Sequence, residues 1–223
     1  MTDSTPPNPS AQPDPSTSVG GELSFGAPWE REELPGRFTV EETAQRVGHY
    51  RWFEMSLFEV LGGWVGRSPE LEVKHRFGVH CYHHAFHAEL WYRRLPELRS
   101  MDPERLSVAP NEEMASVVDL LGSMAVPELT IERMVAFYRV ILPHLISTYT
   151  FHRSFAATVT DGPTIRALDL CLADDLKEWQ EGEMLLQHAL RSTEALERAA
   201  AQQVQLAELL VEAGGVCGPG SAG

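Results

Sequence analysis

From Val40 to Ala213 the apolar residues return at three- and four-residue spacing, and no stretch of useful length alternates with period two. That spacing makes one apolar stripe per helix, which is buried only by packing helices against one another. The predicted fold class is therefore all-α. The first segment runs from about Val40 to Val65. Thr39 is its N-cap, Glu41 and Glu42 favour the helix dipole, and Tyr50, Phe53, Leu57, Leu61 and Trp64 recur at helical spacing. The Gly62-Gly63 pair weakens its far end. The second segment runs from about Pro69 to Leu95, with Pro96 as its stop.

A connection over 96–112 and a short helix around Glu113 to Gly122 follow. The third long segment starts near Pro127 and reaches about Val159, with a kink expected at Pro143. The fourth opens at Asp161-Gly-Pro-Thr and continues to about Leu190. A last stretch, Glu194 to Ala213, either extends the fourth or folds back as a further helix. Four long helices with a long crossover between the second and third predict a four-helix bundle with an additional C-terminal helix. Residues 1–36 are rich in Pro, Ser, Thr, Gly and acids and are expected to form a disordered leader, with Phe25 to Trp29 as its one apolar patch. Residues 214–223 are expected to be a disordered tail, leaving 37–213 as the folded domain.

Composition narrows the function. Eighteen basic against thirty-two acidic residues give a formal charge of −14, which repels phosphate backbones and excludes nucleic acid as an expected partner. Polar residues interrupt every apolar run, so no membrane span is expected. The N-terminus lacks a basic region followed by an apolar stretch, and Cys81, Cys171 and Cys217 are odd in number and widely spaced. Both observations point to a cytoplasmic protein without disulfides. No nucleophile elbow, phosphate-cradling loop or dinucleotide fingerprint is present.

The chemistry-bearing feature is His80-Cys-Tyr-His-His-Ala-Phe-His-Ala-Glu89, which places four of nine histidines within eight residues. On a helix, His80, His84 and His87 share one face, with His83 beside them. Such a face is either a metal site or a buried polar network. Partners are available on other inner stripes. Glu54 lies with Tyr50, Leu57 and Leu61, whereas Glu59 lies opposite. Asp175 follows Leu168 and Leu172 and precedes Trp179 and Leu186, with Glu178 on the same side. The third segment offers His144, Tyr149 and His152.

On these residues the chain resembles the ferritin-like superfamily over roughly residues 37–213. Pro69 to Arg99 looks like the second helix of small actinobacterial ferritin-like proteins, and Ala173-Asp-Asp-Leu-Lys-Glu-Trp-Gln-Glu-Gly-Glu is similar to their last bundle helix. In that superfamily two helices each give a Glu and two each give Glu-x-x-His to a pair of iron or manganese ions. By that resemblance Glu54 matches the lone Glu of the first helix and His87 the first motif His, with His84 in place of the motif Glu. On the last helix the pair reads Asp175-x-x-Glu178. The third-helix Glu has no counterpart, so Tyr149 or His152 stands there.

The resemblance thus implies a metal set of Glu54, His84, His87, Asp175, Glu178 and His152, with Tyr149 as a redox-active catalytic residue. Two histidines and a carboxylate suit one ion with open positions, so the iron or manganese is mono- or dinuclear. The implied function is O2-dependent oxidation of a small-molecule substrate, in keeping with secondary metabolism. The alternative is a metal-free scaffold that binds a small ligand or a partner. Leu196, Val204, Leu206, Leu209 and Leu210 offer a face for a homodimer through the last helix.

Overall fold

The computed structural model describes residues 38–219; the predicted leader, with its Phe25 to Trp29 patch, and the last four residues lie outside them. Helix α1 spans Val40–Arg67. Its first turn is closed by a capping box: Thr39 Oγ1 accepts the Glu42 N–H at 3.1 Å, and the Glu42 carboxylate accepts the Thr39 N–H at 2.6 Å. The helix continues through Gly62-Gly63 because the next residue anchors it. Trp64 is buried, and its indole N–H donates to the Leu121 carbonyl at 3.0 Å.

Three residues turn the chain into α2, Leu71–Glu97. Contacts between Trp64 and Phe77, Glu54 and His84, and Tyr50 and Trp91 climb one helix while descending the other, so the pair is antiparallel. Pro96 sits in the last turn, and the chain leaves through Arg99 and Ser100, both at positive φ. The crossover carries two short helices, α3 (Pro103–Leu106) and α4 (Glu112–Ser123), the second capped by Asn111. The crossover is pressed against α1 at Gly48, where a Cβ would lie 2.3 Å from the Leu106 carbonyl oxygen.

The third long segment is three pieces end to end. Helix α5 (Thr130–Val135) runs into a π-helical turn at Ala136–Ile141, which continues as α6 (Leu142–Phe155). Pro143 was expected to kink the middle of this segment. It lies instead at the start of α6, and the ring and missing N–H are accommodated by the widened turn before it, where the Leu142 N–H reaches back to Phe137. Helix α7 spans Gly162–Ala189. The open alternative at the C-terminus resolves as a separate helix, α8 (Thr193–Glu212), capped by the Ser192 hydroxyl. It packs on α4, α5 and the π turn, and Arg198 grips Glu132 with two bonds of 2.6 and 2.8 Å.

Where residues from Gly214 onward were expected to fray, 214–218 are packed. Val216 is fully buried and donates its N–H to His144 Nε2 at 3.0 Å. Glycines at positive φ (Gly214, Gly215 and Gly218) make the sharp turns that bring it there. Among the described residues the fold is all-α, with no strand, and no single helix is long and apolar enough to cross a membrane.

Candidate metal centre

The interior between α1, α2, α6 and α7 is not apolar throughout. At mid-length it holds Glu54, His80, His84, His87, Asp175 and Glu178, each 0–1% exposed. Helical phase explains their placement. From Leu168 onward the buried positions of α7 are Leu168, Cys171, Asp175, Glu178, Gly182 and Leu186, a three- and four-residue stripe with the acids at its centre. Trp179, expected on this stripe, is 39% exposed, because the stripe passes through Glu178 and Gly182 instead. At Gly182 a Cβ would lie 2.0 Å from the Tyr138 ring, so the absence of a side chain lets the π turn and α7 close against each other beside the acids.

Glu54 is the hub. Its Oε2 lies 2.5 Å from His84 Nδ1, its Oε1 accepts the Tyr149 hydroxyl at 2.5 Å, and the same Oε1 is 3.5 Å from His87 Nδ1. His84 Nε2 faces Glu178 Oε2 at 3.5 Å, and His87 Nδ1 faces Asp175 Oδ1 at 3.8 Å. Two three-residue groups therefore meet at the His84 ring: Glu54, His84 and His87 on one side, and His84, Asp175 and Glu178 on the other. Ligands bonded to one ion at about 2.0–2.2 Å stand roughly 3.0–3.4 Å apart, which these separations bracket.

The hydrogen-bond ledger is where the site departs from an ordinary polar network. Both Asp175 oxygens, His84 Nε2, His87 Nδ1 and Glu178 Oε2 are buried without a hydrogen-bond partner among the described residues. In folded proteins most buried polar groups are paired, and each orphan costs about 1–3 kcal/mol; others occur here, such as Trp91 Nε1 and Gln202 Nε2, but these five are gathered on four neighbouring site residues. Five orphan atoms on four residues of two helices, gathered about the His84 ring beside Glu54, are what a cation satisfies. His87 adds a second sign. Its Nε2 bonds Asp174 at 3.2 Å, a carboxylate that fixes the ring and turns Nδ1 inward, as ligand histidines are usually held.

Charge is distributed in keeping with this. Burial works to raise the Glu54 carboxyl, but His84 and His87 outweigh it and hold it down at about 2. Burial likewise opposes charge on His84, yet Glu54 and Glu178 lift its imidazole to about 10. Without an ion the two form a buried pair. Asp175 shares no hydrogen bond, so burial pushes it well above the usual carboxylate range. Tyr149 is likewise pushed up, first by burial and then by the Glu54 charge, so its phenol keeps its proton. Cys171, beside His87, is raised by burial to about 12 and is a neutral thiol.

The structure brings together five of the six residues expected as metal ligands and sets Tyr149 against one of them. His152 is not among them. It is packed between Phe38 and Tyr50, meets the Tyr50 hydroxyl at 3.2 Å, and is held neutral by burial to about 3. Asp174, His80 and His83 also touch these residues; the sequence placed His80 on the same inner face and His83 beside it but left all three out of the expected ligand set. Asp174 and His83 lie on the flanks of their helices and are part-exposed, and only the His80-x-x-His83 spacing signalled the histidine pair. Compared with protein-family models, with curated proteins and with solved structures, the chain matches none.

Proposed function

We propose that the chain is a ferritin-like four-helix bundle whose core holds one or two first-row divalent ions, iron or manganese, and oxidises a small molecule with O2. The observation that carries this reading is the set of five unpartnered buried donor atoms gathered about His84 beside Glu54. The succession of α1–α2, a long crossover, then α5–α6 and α7, with polar groups at mid-length, supports the ferritin-like assignment. Glu54, His84, His87, Asp175 and Glu178 would hold the metal. Their three carboxylates exceed the charge of one dication and fall one short of two, so mono- and dinuclear occupancy are both in electrostatic range.

Bound iron or manganese supplies one-electron chemistry and open positions for O2 and substrate. The chain's own residues do the rest. Asp174 orients His87, and the apolar layer of Phe137, Trp91 and Tyr50 keeps bulk water out. Tyr149 holds a proton on the oxygen bonded to Glu54 and is the nearest oxidisable side chain to the carboxylate. The scaffold reading has one observation in its favour: both Glu54 oxygens are already hydrogen-bonded without an ion.

Metal analysis of protein purified without an affinity tag separates the two. Near-stoichiometric iron or manganese, lost in His84→Ala and His87→Ala, supports the enzyme, and metal-dependent O2 consumption on candidate substrates extends it. A protein that takes up no metal after anaerobic reconstitution with Fe(II) is the scaffold.

A further inference from the structure

Glu178 is placed to serve two groups at once. Its Oε2 faces inward to His84, while its Oε1 points along α2 toward the surface, 2.6 Å from His83 Nδ1 and 3.0 Å from His80 Nδ1. His80 is fully buried, and neither ring nitrogen has a hydrogen-bond partner, because the approach of Glu178 is close but not aligned for one. His83 is different: its side chain is 21% exposed and opens the cluster to solvent. The three donor atoms lie within 4.8 Å of one another. One turn further out, the Arg76–Glu181 ion pair lies part-exposed on the same two helices.

We propose that His80, His83 and Glu178 form an outer cation site that takes divalent first-row ions from solvent, and that Glu178 passes them to the inner set. Two imidazoles and one carboxylate suit Fe(II), Mn(II), Co(II) or Zn(II) rather than calcium or magnesium, which prefer all-oxygen shells. The arrangement answers a problem that burial creates. The inner ligands are 0–1% exposed, so an ion reaching them must shed its water before any inner ligand is met. At the outer site it exchanges water for two imidazole nitrogens and Glu178 Oε1 while still touching solvent past His83. A swing of the Glu178 carboxylate about its own side-chain bonds then carries it to Oε2 and His84. The transfer moves no electrons and breaks no covalent bond. This role in loading rests on the core metal centre proposed above; the outer site itself does not.

Co(II), added anaerobically to the metal-stripped, tag-free full chain, is the probe, followed by its visible absorption and by calorimetry. Wild type is expected to bind in two classes. The inner variant Glu54→Gln/Asp175→Asn is expected to keep one Co(II), which disappears when His83→Gln is added. His83→Gln alone is expected to fill the inner set at a rate lowered about tenfold or more, the size seen when groups supporting a metal site are removed. His83→Asn is the second substitution, and both are compared with wild type in melting temperature under chelator. The proposal is overturned if the inner variant binds no Co(II) while wild type does, or if His83→Gln and His83→Asn load at the wild-type rate. Wild type binding no Co(II) at all overturns both this site and the core centre. Full wild-type binding in the inner variant, abolished by His83→Gln, upholds the outer site and rejects the core centre alone.

Discussion

Asp175 gives the sharpest test of whether the buried cluster exists to hold an ion. In the metal-free protein it is a fully buried carboxyl with two unpartnered oxygens, and burial pushes it well above the usual carboxylate range, favouring its neutral form. Asp175→Asn therefore replaces one neutral group by another of nearly the same volume. In chelator the expected change is below about 1 kcal/mol, and for a chain of this size each kcal/mol moves the melting temperature by roughly 2–4 °C. With free metal at a thousand times the dissociation constant, wild type gains about 4.1 kcal/mol. That corresponds to a rise of roughly 8–16 °C. The amide oxygen offers no charge, and a hundredfold loss of affinity leaves the variant about 1.4 kcal/mol, or roughly 3–6 °C. Differential scanning calorimetry in chelator, in anaerobic Fe(II) and in Mn(II) measures both proteins. Equal metal-induced shifts in the two, or a loss in chelator as large as the loss in metal, would refute the reasoning.

Metal uptake at pH 7 should release more than one proton: Glu54 and Glu178 lift His84 to about 10, His87 is likewise raised despite its burial, and burial favours the neutral form of Asp175, whereas all three bind a metal deprotonated. Apparent affinity should rise by about tenfold per pH unit for each proton released, so by more than about 1.4 kcal/mol per unit between roughly pH 6 and 8; calorimetry in buffers of different ionisation enthalpy counts the protons, and a pH-independent affinity contradicts it. His144, held neutral to about 4 by burial, binds protons more readily in the unfolded chain, whose ordinary value is 6.5. Its contribution is present above pH 6.5 and is lost as pH falls through that value toward 4. The loss is up to about 3 kcal/mol, and urea unfolding of wild type and His144→Gln at pH 7 and 4.5 should show a flatter profile in the variant. Gly182→Ala should destabilise by about 1–3 kcal/mol, since its Cβ falls on the Tyr138 ring, whereas exposed Gly63→Ala, with open space around it, should stabilise by about 0.5–1 kcal/mol in the same denaturant assay. Tyr149→Phe removes the hydrogen bond to Glu54 and should leave metal content intact while lowering oxidative turnover; unchanged turnover excludes Tyr149 from the chemistry.

The long helices were legible because each buries a continuous stripe, and the pattern of that stripe is written in residue spacing. Glu54, His84, His87, Asp175 and Glu178 were legible for the same reason, as polar residues where the stripe demands apolar ones. Phase errors grow away from a stripe's centre. Trp179 sits one residue beyond Glu178, and its size suggested burial, but the inward position one turn on belongs to Gly182, where size is forbidden. The π turn has no sequence signature of its own, and Pro143 betrayed only that something in the region yields. The packed C-terminal segment was invisible because its contacts are long-range, among them the buried Val216, whose N–H bonds a histidine seventy-two positions away.

The π turn also sets which face of α6 looks into the site. Each residue of an α-helix turns it by about 100°, so the residue accommodated at Ala136–Ile141 rotates everything after it by that angle. A chain shortened by one residue in this turn would relax to plain α-helix upstream of Leu142. Either Tyr149 would then swing away from Glu54, or Arg133 and Met134 would be turned out of their buried seats. The register of the tyrosine is thus fixed by one residue of helical slack some two turns upstream, and a single-codon deletion there would either part Tyr149 from Glu54 or unseat Arg133 while leaving all five expected ligands in the sequence.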